Sequence, residues 1–116
     1  MENDCVALAV RGETLVISGS NERSVYYSVC HLLQTYFGVG FYFDGDSCTA
    51  SPDMTLPDLT LVERSSFKFR HTVGQWVYNF GAFLNKEERR RELDMYARNK
   101  INSYRFYSWN TYVRKR

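Results

Sequence analysis

The chain has 116 residues, 44% hydrophobic and 24% charged, the composition of an ordinary globular protein able to bury one modest core. Its net charge of +2 supplies no uncompensated basic stripe, so neither a nucleic-acid partner nor a membrane partner is expected, and no run approaches the roughly 18 apolar residues of a membrane span. Cys5, Cys30 and Cys48 are odd in number and lack CxxC spacing, which argues for free thiols over a zinc site or a disulfide framework, and no cofactor is called for. The aromatic share of 16% is high and suits sugar stacking, base stacking or interface burial alike.

In chain order, Met1-Glu2-Asn3-Asp4 is polar and reads as carrying no secretory signal, which leaves localisation unknown. Cys5 to Val10 is an apolar run, Arg11-Gly12-Glu13 a turn and Leu15-Val16-Ile17 a second strand. A helix follows from about Glu22 to Phe37. Asn21 caps it, Gly38 ends it, and Val25, Val29, Leu32, Leu33 and Tyr36 mark an apolar face. Gly40 to Phe43 is an aromatic strand, residues 44–58 read as a loop, and Leu59 to Val62 is a further strand. Glu63-Arg64-Ser65-Ser66 reads as the boundary between two units, 1–63 and 64–116.

The second unit opens with Phe67 to Val73, in which Phe67, Phe69 and His71 alternate with Lys68, Arg70 and Thr72. After a long loop, Gly74 to Leu84, a helix spans about Lys86 to Arg98, with Asn85 and Glu88 as a capping-box pair and Leu93, Tyr96 and Ala97 on its buried side. Asn99-Lys100 ends it, with Asn99 the residue suited to a left-handed turn. Ile101 to Tyr107 is the last strand. Strand, helix, strand predicts a parallel pair with a right-handed crossover, which cannot cover both faces of its own sheet. Two basic runs have bland readings. Arg89-Arg90-Arg91 lies among Glu87, Glu88, Glu92 and Asp94 as a solvated helix face, and Arg114-Lys115-Arg116 closes the sequence.

Residues 14–43 resemble the accessory domain that precedes the catalytic barrel in α-glucuronidases, α-N-acetylglucosaminidases and β-N-acetylhexosaminidases. The resemblance rests on Ile17, Gly19, Arg23, Tyr27, Val29, Leu32, Leu33, Gly38, Val39, Phe41 and Tyr42. Glu63-Arg64 with Phe67-Lys68-Phe69-Arg70 is similar to the entry into the first barrel strand. Residues 91–102 resemble the first barrel helix and the approach to strand two, most like the α-N-acetylglucosaminidase pattern, so that about residues 5–116 are covered. The resemblance implies an α/β fold: a small sheet with a packed helix, the hexosaminidase-like accessory domain, followed by the first βαβ of a TIM-type (β/α)8 barrel. It also implies a chain truncated at both ends, because such a barrel needs about 250 residues.

Glycosidic hydrolysis usually takes two carboxyl groups roughly 5–10 Å apart. In the resembling families they come from later barrel strands, so no catalytic pair is expected here. The expected role is a non-catalytic part of a glycoside hydrolase, with a glycan as the parent enzyme's substrate and exposed apolar faces open to self-association. Barrel active sites lie at the C-terminal ends of strands. Gln75, Trp76, Tyr78 and Asn79 after the first strand, and Trp109 and Asn110 after the second, are therefore the substrate-binding candidates, aromatic faces for a sugar's C–H surface beside amides for its hydroxyls. His71 is either a substrate contact or a hydrogen-bonded interior histidine, and His31 is structural or exposed. Arg70 or Arg105 would suit a uronate carboxylate, although strand arginines in barrels more often hold neighbouring acids. A stand-alone carbohydrate- or protein-binding module is the alternative, and a nucleic-acid-binding domain a more distant one.

Overall fold

A computed structural model describes residues 3–49, 55–72 and 85–104. Strand β1 (Cys5–Arg11) is the centre of a three-stranded antiparallel sheet, flanked by β2 (Thr14–Gly19) and β5 (Leu59–Arg64). Leu8 pairs with Ile17 on one side and Leu61 on the other. Strict alternation along β1 sends Val6, Leu8 and Val10 into the core, where Leu8 is only 1% exposed.

Helix α1 (Glu22–Tyr36) covers that face. Asn21 caps it as expected, its side chain accepting from Ser24 N at 2.9 Å, and Gly38 takes the left-handed φ of 61° just beyond its end. The buried face differs from the expected stripe: Ser24, Tyr27, Ser28, Cys30 and Leu32 are buried, whereas Val25 and Val29 are exposed. The cause is close approach. A Cβ on Gly19 would lie 2.5 Å from the backbone of Ser24 and Val25, so the helix rests directly on β2 and only small side chains fit between. Ser28 Oγ fills that contact, 2.6 Å from Ser18 O and accepting from Ala7 N at 3.3 Å. Hydrogen bonding, which a hydropathy stripe does not register, chose the rotation of the helix.

Strand β3 (Val39–Tyr42) turns back through Phe43 and Asp44 into β4 (Gly45–Cys48), so part of the expected 44–58 loop is a hairpin strand. All four β4 residues are exposed, which leaves no apolar alternation to reveal it. Similarly β5 continues through Glu63 and Arg64, which pair with Val6 and Cys5, so the expected linker starts only at Ser65.

Beyond it lie β6 (His71–Thr72), α2 (Lys86–Arg98) and β7 (Ser103–Tyr104). The expected parallel pairing holds, with His71 opposite Ser103 and Thr72 opposite Tyr104. Strand β6 begins later than residue 67, and Phe67 and Phe69 are exposed. Side chains replace the ladder there: Asn102 donates to Lys68 O at 2.8 Å and accepts from Arg70 N at 2.8 Å.

The capping box of α2 is complete, Asn85 accepting from Glu88 N at 2.9 Å and Glu88 accepting from Asn85 N at 2.8 Å. Its buried side corrects two expectations. Leu93 is exposed, while Glu92, expected on a solvated face, is buried. Glu92 is held by Arg89 one turn back and by Tyr96 OH at 3.3 Å, with Tyr104 OH accepting from Arg89 at 3.0 Å. At the helix end Lys100, not Asn99, adopts the left-handed φ of 64°. Asn99 is occupied elsewhere. Its amide donates to Phe41 O at 3.0 Å and accepts from Gln34 at 3.1 Å, which ties α2 to β3 and α1. Cys5, Cys30 and Cys48 are all free thiols.

Candidate functional site

The densest polar cluster gathers around Asp4, whose side chain is 3% exposed. One carboxylate oxygen accepts from Arg23 at 2.9 Å, Asn21 at 3.1 Å and Ser24 Oγ at 3.3 Å. The other accepts from Arg70 at 2.6 Å and Asn102 at 3.1 Å. Asp4 stands just ahead of β1, Arg23 and Ser24 on the first turn of α1, Arg70 just before β6 and Asn102 just before β7. A single carboxylate therefore joins the antiparallel sheet, its helix and the parallel strand pair. Burial by itself would raise the Asp4 pKa, but the hydrogen bonds from Arg70, Arg23, Asn21 and Asn102 outweigh it and hold the carboxyl well below its ordinary range. A group kept ionised in this way cannot donate a proton near neutrality, so it serves as an anchor and not as a general acid.

Arg70 is used just as fully. Its Nε donates to Lys100 O at 2.7 Å, Nη1 to Ser65 Oγ at 2.8 Å and Phe67 O at 3.0 Å, and its guanidinium carbon lies 5.5 Å from the Tyr27 ring centroid. Of the two roles expected of Arg70, the structure shows the holding of a neighbouring acid: the planar fork is spent on internal acceptors and Asp4, which leaves none of it for a uronate. Arg105 lies outside the described residues.

Beside this anchor opens a cleft of about 280 Å³, bordered by Asp4, His31, Glu63, Arg70 and Lys100. His31 Nδ1 stands 2.9 Å from Lys100 Nζ. An ammonium only donates, so Nδ1 is the acceptor and the neutral ring carries its proton on Nε2, which faces Thr35 Oγ1 at 3.4 Å and Glu63 at 3.9 Å. Burial, then the Lys100 charge, lowers the His31 pKa, and burial likewise lowers that of Lys100. His31 is thus structural, one of the two roles expected of it.

The six substrate-binding candidates, Gln75, Trp76, Tyr78, Asn79, Trp109 and Asn110, lie outside the described residues. His71 is described and is exposed, which removes the interior-histidine alternative. The parallel register points β6 and β7 the same way, so Thr72 and Tyr104 stand side by side at the C-terminal end of the pair. Asp4, Asn99 and Asn102 were missed as organising residues. Nothing short-range identifies them, because their principal partners lie tens of positions away. Among the described residues no group of three metal-ligating side chains converges, and no helix is long and apolar enough to cross a membrane.

No protein-family model and no curated protein sequence matches the chain. The architecture is nonetheless that of a segment of family 89 glycoside hydrolases. In particular, the chain superposes on CpGH89 from Clostridium perfringens in complex with its substrate GlcNAc-alpha-1,4-galactose, with TM-score 0.70 and 20% identity. The family 89 glycoside hydrolase of the same organism matches with TM-score 0.69 in complex with 2-acetamido-1,2-dideoxynojirmycin and 0.70 in complex with PUGNAc, again at 20% identity. In each case 88% of this chain is covered but only 12% of the enzyme, so the chain spans about an eighth of those proteins' length.

Proposed function

We propose that the chain forms the accessory α/β unit, which ends with β5 at Arg64, and the barrel entry, which starts at Ser65, of a glycoside hydrolase of the α-N-acetylglucosaminidase type, with a glycan as the parent enzyme's substrate. The observation that carries this reading is the parallel β6–β7 pair clasped to the antiparallel sheet through Asp4 and Arg70. Such a pair needs further strands to cover its faces, and a closed barrel supplies them. Gln75, Trp76, Tyr78, Asn79, Trp109 and Asn110 then follow the C-terminal ends of the first two barrel strands, where they contact the sugar. The role is non-catalytic. Among the described residues the two buried acids are Asp4, neutralised by arginines, and Glu92, neutralised by Arg89, and neither faces a second free carboxylate as glycosidic hydrolysis requires. Self-association belongs to the same reading, because Val16 and Val62 are exposed on the sheet face opposite α1.

Titration of the 116-residue chain with N-acetylglucosamine, followed by indole fluorescence, tests this. A saturable change lost in Trp76→Ala or Trp109→Ala, without turnover of an aryl α-N-acetylglucosaminide, is expected. A titration indifferent to both substitutions rejects the loop assignment, and measurable turnover rejects the non-catalytic role.

A further inference from the structure

A second cleft, of about 310 Å³, lies between the tip of the β3–β4 hairpin and one face of α2. Among the described residues it shares no lining residue with the cleft beside Asp4. Arg91, Asp94, Met95 and Arg98 recur at three- and four-residue spacing, so they form one wall on α2, while Phe43, Asp44 and Asp46 form the other. Arg98 is committed to that framework. It donates to Asp46 at 2.6 Å, and its guanidinium carbon sits 5.5 Å from the Phe41 ring centroid.

The remaining groups are not committed. Among the described residues, the side chains of Asp44, Arg91 and Asp94 make no hydrogen bond or ion pair, and Phe43 is 42% exposed. The cleft thus offers two free carboxylates and a free guanidinium around an aromatic ring and a thioether. Its volume is at the lower end of small-molecule sites, roughly 300–1,000 Å³.

The charge pattern narrows the ligand. Three carboxylates against two guanidiniums disfavour a phosphate, the guanidiniums disfavour a dication, and no metal-ligating group converges among the described residues. A neutral polyol satisfies all of them. Its hydroxyls donate to Asp44 and Asp94 and accept from Arg91, while a C–H face packs on Phe43. We infer that this cleft, between the β3–β4 hairpin and α2, binds a neutral or N-acetylated sugar unit of a glycan. The inference rests on the carbohydrate-directed reading above and adds a second contact to it.

The test is NMR titration of the 15N-labelled chain with N-acetylglucosamine and, separately, galactose, in wild type and in Arg91→Ala, Asp94→Asn, Trp76→Ala and Trp109→Ala. The two α2 substitutions are at exposed positions, and an unchanged thermal midpoint verifies folding. Expected are saturable shifts at residues 43–46 and 91–98, weakened about tenfold or more in the α2 variants and retained in both Trp variants. Binding that disappears only in the Trp variants supports the barrel loops and overturns this cleft. Shifts at the cleft with a tri-lysine peptide but not with either sugar overturn the sugar assignment, as does the absence of saturable shifts with either sugar.

Discussion

Arg70 donates to Asp4 at 2.6 Å across 66 positions of sequence, and the same guanidinium reaches Lys100 O, Ser65 Oγ and Phe67 O. Two side chains thereby set how the antiparallel sheet meets the parallel strand pair. Half-buried Arg70 compensates the buried charge of Asp4, so loss of either partner is costly.

Asp4→Ala is expected to destabilise the chain by about 3–5 kcal/mol, because it leaves Arg70 without its counter-charge. Arg70→Lys keeps the charge but loses the fork, and is expected to destabilise in the same direction. Urea denaturation of the single and double variants reads the coupling, expected at about 1 kcal/mol or more. Additive effects would remove Asp4–Arg70 as the link between the two sheets.

Stability should fall with acid in two steps. His31 has a folded pKa below its ordinary 6.5, so the unfolded chain takes up the proton first. Its contribution is complete above that value and is lost as pH falls below it, when an imidazolium would confront Lys100 despite Glu63 nearby. Asp4 follows at lower pH. Its folded pKa lies below the ordinary 3.8, so its contribution is full above 3.8 and drains away as pH drops through and beneath it. Thermal midpoints measured against pH should show the upper step disappear in His31→Gln and persist in wild type. A step unaffected by that substitution refutes the assignment.

Gly19→Ala places a Cβ 2.5 Å from backbone atoms of Ser24 and Val25, and α1 must lift from β2 to admit it. A loss of about 1–3 kcal/mol or more is expected. Gly12→Asn is the contrasting case. The left-handed φ of 54° suits Asn and nothing lies within 4 Å of the new Cβ, so its midpoint should move far less.

Asn85→Ala removes the side-chain half of the α2 capping box and should cost about 1 kcal/mol. Circular dichroism should report reduced helicity, and Asn85→Asp should restore most of it. No change in either variant would mean that packing alone holds the helix start.

Elements whose signals are local were legible. Both helix starts follow from Asn21 and Asn85, whose side chains satisfy amides two or three residues away, and the end of α1 follows from Gly38. The Cys5–Val10 run and the β-branched segment after Gly12 specified the β1–β2 hairpin. Elements whose stability comes from a neighbour were not legible. Strand β4 is exposed throughout and exists only by pairing with β3, and β5 runs through polar Glu63 and Arg64 because β1 extends alongside them. The same division separates the candidate residues. Capping asparagines were found, whereas Asp4, Asn99 and Asn102 were not.

By itself, the order of residues determined the β1–β2 hairpin, the starts of both helices and the parallel sense of the last strand pair. Those properties depend on short-range periodicity and capping. Only the tertiary structure decided which face of α1 is buried, that Glu92 lies inside, that Lys100 takes the left-handed turn, and that Arg70 is spent on Asp4. Each of these is settled by compensation between groups far apart in the chain: a carboxylate or hydroxyl enters the interior only when folding brings its donors or acceptors within about 3 Å.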